Sequence, residues 1–418
     1  MFLVCLVPYY ILRVRDISRN PFEKACPVGR RRSRDRPAST SSNVAHAPAR
    51  RVRRRRLLLS HGARPTSRAQ CAELRLLLLA PHHRSRSSYT RSQISDWGWN
   101  GDALSANANA MAKAAADLKI GAVFMLGDNM YQRGLDKVSS DNGGCDDTCD
   151  EFDHRFNRTW ASTFAAPAFA NVPFYQIYGN HDHYGNLSAE IAHVQDGLSP
   201  LNIKSGGKYF YSQTFPVGQK TLEVVFMDAV VATGNSDKSV DECKLDQAWT
   251  CEPEDPDLAE KQWAFVENAL ATSKAEYLLV ACHYPMISPT VHGNTPPLVK
   301  RLKPMLEKHG VQAYMHGHDH NLGDILADGV HYINSGAGHM CCYPGNNLAH
   351  VPKEWIKFYA IGDGGSDYQP MPLKLLSGFT SWTFTDSSFT ISLHAHTGRV
   401  LYTTDPIMPR STTLVEAA

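Results

Sequence analysis

No run of apolar residues in this 418-residue chain reaches the roughly 18 that a membrane-crossing helix needs. Met1 to Leu12 is apolar, but it lacks a charged start and a small-residue cleavage site, so it reads at most as a degenerate signal peptide. Net charge is also scarce, at +2, yet that balance joins two unlike polypeptides. Residues 1–93 carry 21 Lys+Arg against 4 Asp+Glu, whereas residues 94–418 carry 22 against 37. The first part lacks apolar periodicity outside Leu57-Leu58-Leu59 and Leu74 to Ala80, and it lacks the interleaved aromatics of a base-stacking platform. With its Arg30-Arg31-Arg32 and Arg53-Arg54-Arg55-Arg56 runs it reads as a basic low-complexity segment, disordered or wrongly joined to the coding frame. A basic arm for nucleic acid or anionic membrane, or an Arg-rich targeting peptide, is the weaker reading.

Ten cysteines are too scattered for a small disulfide scaffold. Cys145 with Cys149, and Cys243 with Cys251, lie in polar, acidic stretches where loop disulfides of an oxidising compartment fit. Cys282 sits in an apolar run and reads as a buried thiol. Asn157-Arg158-Thr159 and Asn186-Leu187-Ser188 are acceptor triplets for N-glycosylation, which favours a secreted glycoprotein.

From residue 94 onward β and α patterns alternate. Ala103 to Leu118, Phe152 to Phe169, Leu258 to Thr272 and Leu298 to Lys308 read as helices. Strands are expected at Ala122–Leu126, Phe174–Tyr178, Tyr209–Phe215, Leu222–Asp228, Leu278–His283, Ala313–His318 and Val330–Asn334. Three more close the chain at Gly378–Asp386, Ser388–His394 and Arg399–Thr403. Mixed units that end in antiparallel strands imply an α/β fold of two sheets packed face to face, with helices outside.

Four apolar runs end in residues that carry chemistry: Gly127-Asp128-Asn129-Met130-Tyr131, Gly179-Asn180-His181-Asp182, Val280-Ala281-Cys282-His283 and Gly317-His318-Asp319-His320. Ligands of open α/β sheets gather where parallel strands end, so these segments are expected to meet. Asp128 directly follows a strand and suits a carboxylate that bridges two cations. Tyr131, three residues on, offers a hard phenolate that favours Fe(III). Asn180 offers an uncharged amide oxygen, and His283, His318 and His320 offer imidazoles. His181 stands beside Asn180 and suits an outer-sphere role.

The order Asp-x-Gly (Asp96-Trp97-Gly98), Gly-Asp-x-x-Tyr, Gly-Asn-His-Asp, Val-x-x-His and Gly-His-x-His resembles the purple acid phosphatases. More narrowly, Gly179 to Asn186, His283-Tyr284-Pro285, Gly317 to Leu322, Ser335-Gly336-Ala337-Gly338 and Gly234-Asn235-Ser236-Asp237 are similar to the small tartrate-resistant type. The resemblance implies an α/β/β/α sandwich of the metallophosphoesterase type over residues 94–410, preceded by the basic segment 1–93 and followed by a tail, 411–418. It implies Fe(III) held by Asp96, Asp128, Tyr131 and His320, and a second metal, Fe, Zn or Mn, held by Asp128, Asn180, His283 and His318. Tyr131 would then give a purple charge-transfer band. His181 and His292 would be outer-sphere catalytic residues around a metal-bound hydroxide that attacks a phosphate monoester.

A monomer without nucleic-acid or transmembrane partners, secreted or in a lysosome or vacuole, is the matching expectation. A phosphodiesterase or nucleotide hydrolase on the same fold is the alternative, as is a non-catalytic secreted glycoprotein if Asp96 is not placed. One stretch departs from the pattern. Ser87 to Ser95 is polar and basic where the family has an apolar central strand, and a polar central strand costs several kcal/mol wherever its groups lack partners. Leu74 to Ala80 is the apolar candidate for that strand, and the acidic insert Ser139 to Asp153 reads as a surface loop.

Overall fold

The computed structural model describes residues 88–135, 156–234, 244–245, 248–362 and 375–411. The basic segment through residue 87, Leu74 to Ala80, the acidic insert with Cys145 and Cys149, Asn235 to Cys243 and the tail from 412 lie outside the described residues.

Two sheets form the centre. One has six strands in the order β15-β14-β13-β1-β2-β3. These are β1 (Tyr89–Ile94), β2 (Val123–Leu126), β3 (Phe174–Ile177), β13 (Gly378–Phe384), β14 (Phe389–Ala395) and β15 (Val400–Thr403). The other has seven, β12-β10-β11-β9-β8-β5-β4. They are β4 (Tyr211–Val217), β5 (Lys220–Phe226), β8 (Tyr277–Ala281), β9 (Ala313–His316), β10 (Leu322–Ala327), β11 (Val330–Ser335) and β12 (Ile356–Tyr359). Two-residue strands β6 (Lys244–Leu245) and β7 (Ala248–Trp249) pair separately. β1, β2 and β3 run parallel, as do β5, β8, β9 and β11, so their carboxyl ends point the same way within each sheet.

Apolar side chains explain the layering. Phe124, Leu126 and Ile177 from the first sheet meet Val224, Phe226, Leu279 and Met315 from the second in a buried core between the sheets. Alternate residues of the same strands face outward. Val123, Met125 and Ile94 pack under the helix Asp102–Leu118, while Val280, Leu278 and Tyr314 pack under helices Pro256–Thr272 and Pro296–Lys308. Both latter helices start with proline at the first turn, where its missing N–H costs nothing. The result is the expected α/β/β/α sandwich.

Sequence patterning overlooked β10, β12 and the helix Leu187–Gln195, and it extended the Phe152–Phe169 helix, of which a π-turn at Phe156–Ala161 and a 3-10 turn at Pro167–Phe169 are observed. β10 escaped because it opens directly on the last histidine motif and carries Gly323 and Asp324, which break the apolar run.

The polar stretch before Asp96 is itself the central strand. Thr90 to Ile94 of β1 are buried between β13 and β2. β13 is equally polar, and the two strands pair several of these groups, although Gln93 Nε2 is buried without a partner among the described residues. Ser92 Oγ donates to the Thr380 carbonyl at 3.1 Å. Gln93 Oε1 accepts from Trp382 Nε1 at 2.9 Å and from Thr380 Oγ1 at 3.2 Å. Arg91 lies 5.0 Å from the Phe215 ring centre. The desolvation cost is therefore partly offset by paired partners. Gln93→Leu should remove an acceptor from buried Trp382 and lower stability by about 1–3 kcal/mol, read as a lower Tm. An unchanged Tm would show that this pairing contributes nothing.

Candidate metal centre

Asp96, Asp128 and Asn180 follow β1, β2 and β3 of the first sheet, and His283, His318 and His320 follow β8 and β9 of the second. The site lies where the two sets of strand ends converge. Asp96, Asp128 and His318 adopt left-handed backbone, with φ of 55°, 51° and 69°. For residues with a β-carbon that conformation is strained, and such strain concentrates at functional sites.

Closure of the loops depends on glycine. A β-carbon on Gly179 would lie 2.2 Å from Asp128 Oδ1 and 2.5 Å from Asp128 N, and one on Gly317 would lie 2.3 Å from Asp96 Oδ2. Buried Asp182 ties the second motif to the first, accepting from the backbone N–H groups of Asn129 (2.9 Å), Met130 (3.0 Å) and Gly179 (2.8 Å).

The candidate ligands sort into two groups. In one, Tyr131 Oη lies 3.1 Å from Asp96 Oδ1, 2.7 Å from Asp128 Oδ2 and 3.2 Å from His320 Nε2. In the other, His283 Nε2 lies 3.1 Å from Asn180 Oδ1 and 3.3 Å from Asp128 Oδ1. His318 joins this second group: one ligand atom each from Asp128, His283 and His318 fall within 4.8 Å of one another. Asp128 thus offers one carboxylate oxygen to each group. All seven sequence-selected residues, from Asp96 to His320, are brought together, and each is buried.

Without a cation, the buried carboxylates and imidazoles of the site set one another's charge. Burial disfavours charge at Asp96, but the His320 hydrogen bond and the His283 charge hold its carboxyl low. Burial likewise opposes ionisation of Asp128, yet His283 and His181 hold it well below the usual carboxylate range. Burial and the two carboxylates push the Tyr131 phenol well above its usual value, so without a cation it stays protonated. His283 resists burial because Asp128 faces it, and it is pushed up to about 9. Two buried carboxylates therefore face a phenol and imidazoles across one small space. Such a set is suited to cations: carboxylates and phenol on one side, amide and imidazoles on the other.

His181 packs against Tyr131 with the rings tilted by 52° and their centres 4.3 Å apart, and its Nε2 lies 4.0 Å from Asp128 Oδ2. About 27% of its side chain is exposed, so it reaches open space beside the buried set. His292 stacks on His318 at 3.9 Å, and its backbone N–H donates to Asp319 Oδ1 at 3.0 Å.

Two neighbours were missed from sequence. Tyr343 lies parallel to His320 at 4.5 Å, and His339 lies 4.8 Å from Tyr131 and 4.9 Å from His320. His339 follows Gly338 shortly after β11, so the strand-end rule that found the other histidines had a signal for it. Tyr343 gave none, since it arrives from a loop. Cys282 is a buried free thiol as expected, and burial pushes it up to about 12, so it should resist alkylation in the native protein near pH 8. Cys251 is disulfide-bonded, its expected partner Cys243 lies outside the described residues, and Cys341 and Cys342 form a disulfide that sequence did not suggest.

Residues 92–322 match the calcineurin-like phosphoesterase family. The chain is 33% identical to tartrate-resistant acid phosphatase type 5 of Oryctolagus cuniculus, over 74% of this chain and 88% of that protein. It is 26% identical to purple acid phosphatase 17 of Arabidopsis thaliana, over 67% and 77%. In fold it is similar to GAP50, described as the anchor in the inner membrane complex of Plasmodium, with a TM-score of 0.60 and 17% identity over 79% of this chain and 93% of that one. That last likeness concerns the fold alone, and the chemistry is argued from the site. The match across residues 92–322 and the one-third identity over most of both chains place this protein in the calcineurin-like phosphoesterase family, among the purple acid phosphatases of the tartrate-resistant type.

Proposed function

We propose that this protein hydrolyses phosphate monoesters at a binuclear centre, with Fe(III) beside Asp96, Asp128, Tyr131 and His320 and a divalent Fe, Zn or Mn beside Asp128, Asn180, His283 and His318. The observation that carries the proposal is the Asp128 carboxylate, whose two oxygens face Tyr131 and His283 separately, at 2.7 and 3.3 Å. A carboxylate divided this way suits two cations a few ångströms apart. Bound there, such cations supply charge for phosphoryl oxygens and acidify water at mild pH.

The chain's own residues do the rest. Left-handed Asp96, Asp128 and His318 hold their donors fixed before substrate arrives, which favours preorganisation. His181, partly exposed and braced against Tyr131, is placed to protonate the departing alcohol. His292, stacked on His318, is the second outer-sphere imidazole. Secretion, or a lysosomal or vacuolar location, accords with the disulfide at Cys341–Cys342 and with the exposed Asn157 and Asn186 of the glycosylation triplets. No described helix is long and apolar enough to cross a membrane.

The test is a visible absorption spectrum with metal analysis, repeated on Tyr131→Phe. A purple band that the substitution abolishes, with about two metals per chain, is expected. A colourless protein with its metals in place would sink the iron–phenolate assignment. His181→Ala should lower kcat on an aryl phosphate about a hundredfold at constant metal content. Parallel assay of an aryl diester discriminates the diesterase alternative, which requires the diester to be the better substrate.

A further inference from the structure

Residues 339–347 run from one candidate half-site to the other. At the start, the His339 backbone N–H donates to the Asp96 carbonyl at 3.1 Å, and its Nδ1 lies 2.5 Å from the same oxygen. Midway, Tyr343 stacks on His320, and its carbonyl accepts from Asn321 Nδ2 and from the Gly362 N–H, both at 3.0 Å. At the end, Asn347 donates its backbone N–H to Pro289 at 2.9 Å and its side-chain amide to the Thr290 carbonyl at 2.6 Å. That holds the loop whose His292 stacks on His318. One short segment therefore braces Asp96, His320 and the loop carrying His292.

The Cys341–Cys342 disulfide sits in the middle of this segment. Because the two cysteines are adjacent, the bond closes almost no loop and removes almost no entropy from the unfolded chain. Its effect is local: it restrains the Cys341–Cys342 step, which lies between His339 and Tyr343. Both cysteines are partly exposed, whereas Cys282 is wholly buried, so a soluble thiol reagent reaches the pair and not the free thiol.

We infer that residues 339–347 act as a clamp across the site, clipped by the Cys341–Cys342 disulfide, and that reduction by a dithiol loosens it and slows turnover. This rests on the metal-phosphatase reading above. In the reaction one dithiol thiolate attacks a cysteine sulfur, the S–S bond breaks, and a mixed disulfide forms. The second thiolate of the reagent then displaces the cysteine, leaving two cysteine thiols and the oxidised, cyclic reagent. Two electrons and two protons pass to the protein. The hydrogen bonds that anchor His339, Tyr343 and Asn347 are untouched by the reaction, but the backbone between them loses its local restraint. The candidate metal ligands at the strand ends remain in place, so the clamp residues act as positioning groups.

The experiment uses the full-length, metal-loaded protein titrated with dithiothreitol. Each aliquot is assayed, then alkylated and mapped by mass spectrometry, with metal content and amide hydrogen exchange measured in parallel. The expected result is a fall in kcat/KM of about tenfold that tracks labelling of Cys341 and Cys342 at constant metal content. Faster exchange at residues 289–293 and 339–347 should accompany it, and reoxidation should restore activity. C341S/C342S should start at the lowered rate and show only the change that the reagent causes at the metals, which is common to both proteins.

The inference is overturned if kcat/KM is unchanged when both cysteines are labelled, or if the loss tracks Cys251 instead. It is equally overturned if C341S/C342S retains the wild-type rate. Should that variant not fold, labelling of the wild-type protein decides alone. Protein without metals or phosphatase activity before any reductant would refute the proposed function. In that case the hydrogen-exchange arm still decides the clamp: unchanged exchange on reduction removes it.

Discussion

Asp128→Asn is expected to lower kcat by about 10³-fold or more and to reduce bound metal from about two ions per chain to one or none. The reasoning is geometric. Asp128 is the residue whose carboxylate faces both groups, with Oδ2 2.7 Å from Tyr131 and Oδ1 3.3 Å from His283. An asparagine of the same shape replaces one oxygen by a donor, which repels a cation, and removes the negative charge that His283 and His181 are set against. A 10³-fold loss corresponds to roughly 4 kcal/mol of lost transition-state stabilisation. Metal analysis separates a loading defect from a chemical one. If Asp128→Asn kept two metals and near-normal kcat, the shared-carboxylate arrangement would be wrong.

Gly179→Ala should be nearly as damaging, though no ligand changes. Its φ is −106°, so alanine meets no conformational barrier there. The obstacle is space: the added carbon would lie 2.5 Å from the Asp128 backbone nitrogen and 2.8 Å from His283 Cε1. Backbone on one side and a buried ring on the other leave nothing to yield, and overpacking of this kind costs about 1–3 kcal/mol or more. The expected readouts are a Tm lower by roughly 5 °C and impaired metal loading. Gly101→Ala is the control, since its new carbon would meet nothing within 4 Å and its φ of 173° is extended backbone. Equal behaviour of the two variants would refute the steric argument.

Much of this was legible because strand ends announce themselves. The apolar runs before Asp128, Asn180, His283 and His318 are buried β-strands, and each ends within three residues of the one that enters the site. Asp96 was harder. Its strand is written in Thr, Arg, Ser and Gln, and only the complementary polarity of β13, nearly 300 residues away, makes it a central strand. No single-strand pattern carries that information, because the partner's polarity is set by pairing. Tyr343 and the Cys341–Cys342 disulfide were out of reach for a similar reason: they belong to a loop whose course is fixed by Asn321, Gly362 and Pro289 on other elements.

The position of the site at the meeting of two sheets has a consequence for the order of assembly. Neither sheet alone supplies either candidate half: Asp96, Asp128, Tyr131 and Asn180 come from one, and His283, His318 and His320 from the other. A chain still being synthesised has released the first set long before the second, so neither proposed half-site is complete early. Under the proposed binuclear reading, loading would follow closure of the buried interface between the sheets, and a purple colour would then mark a completed sandwich.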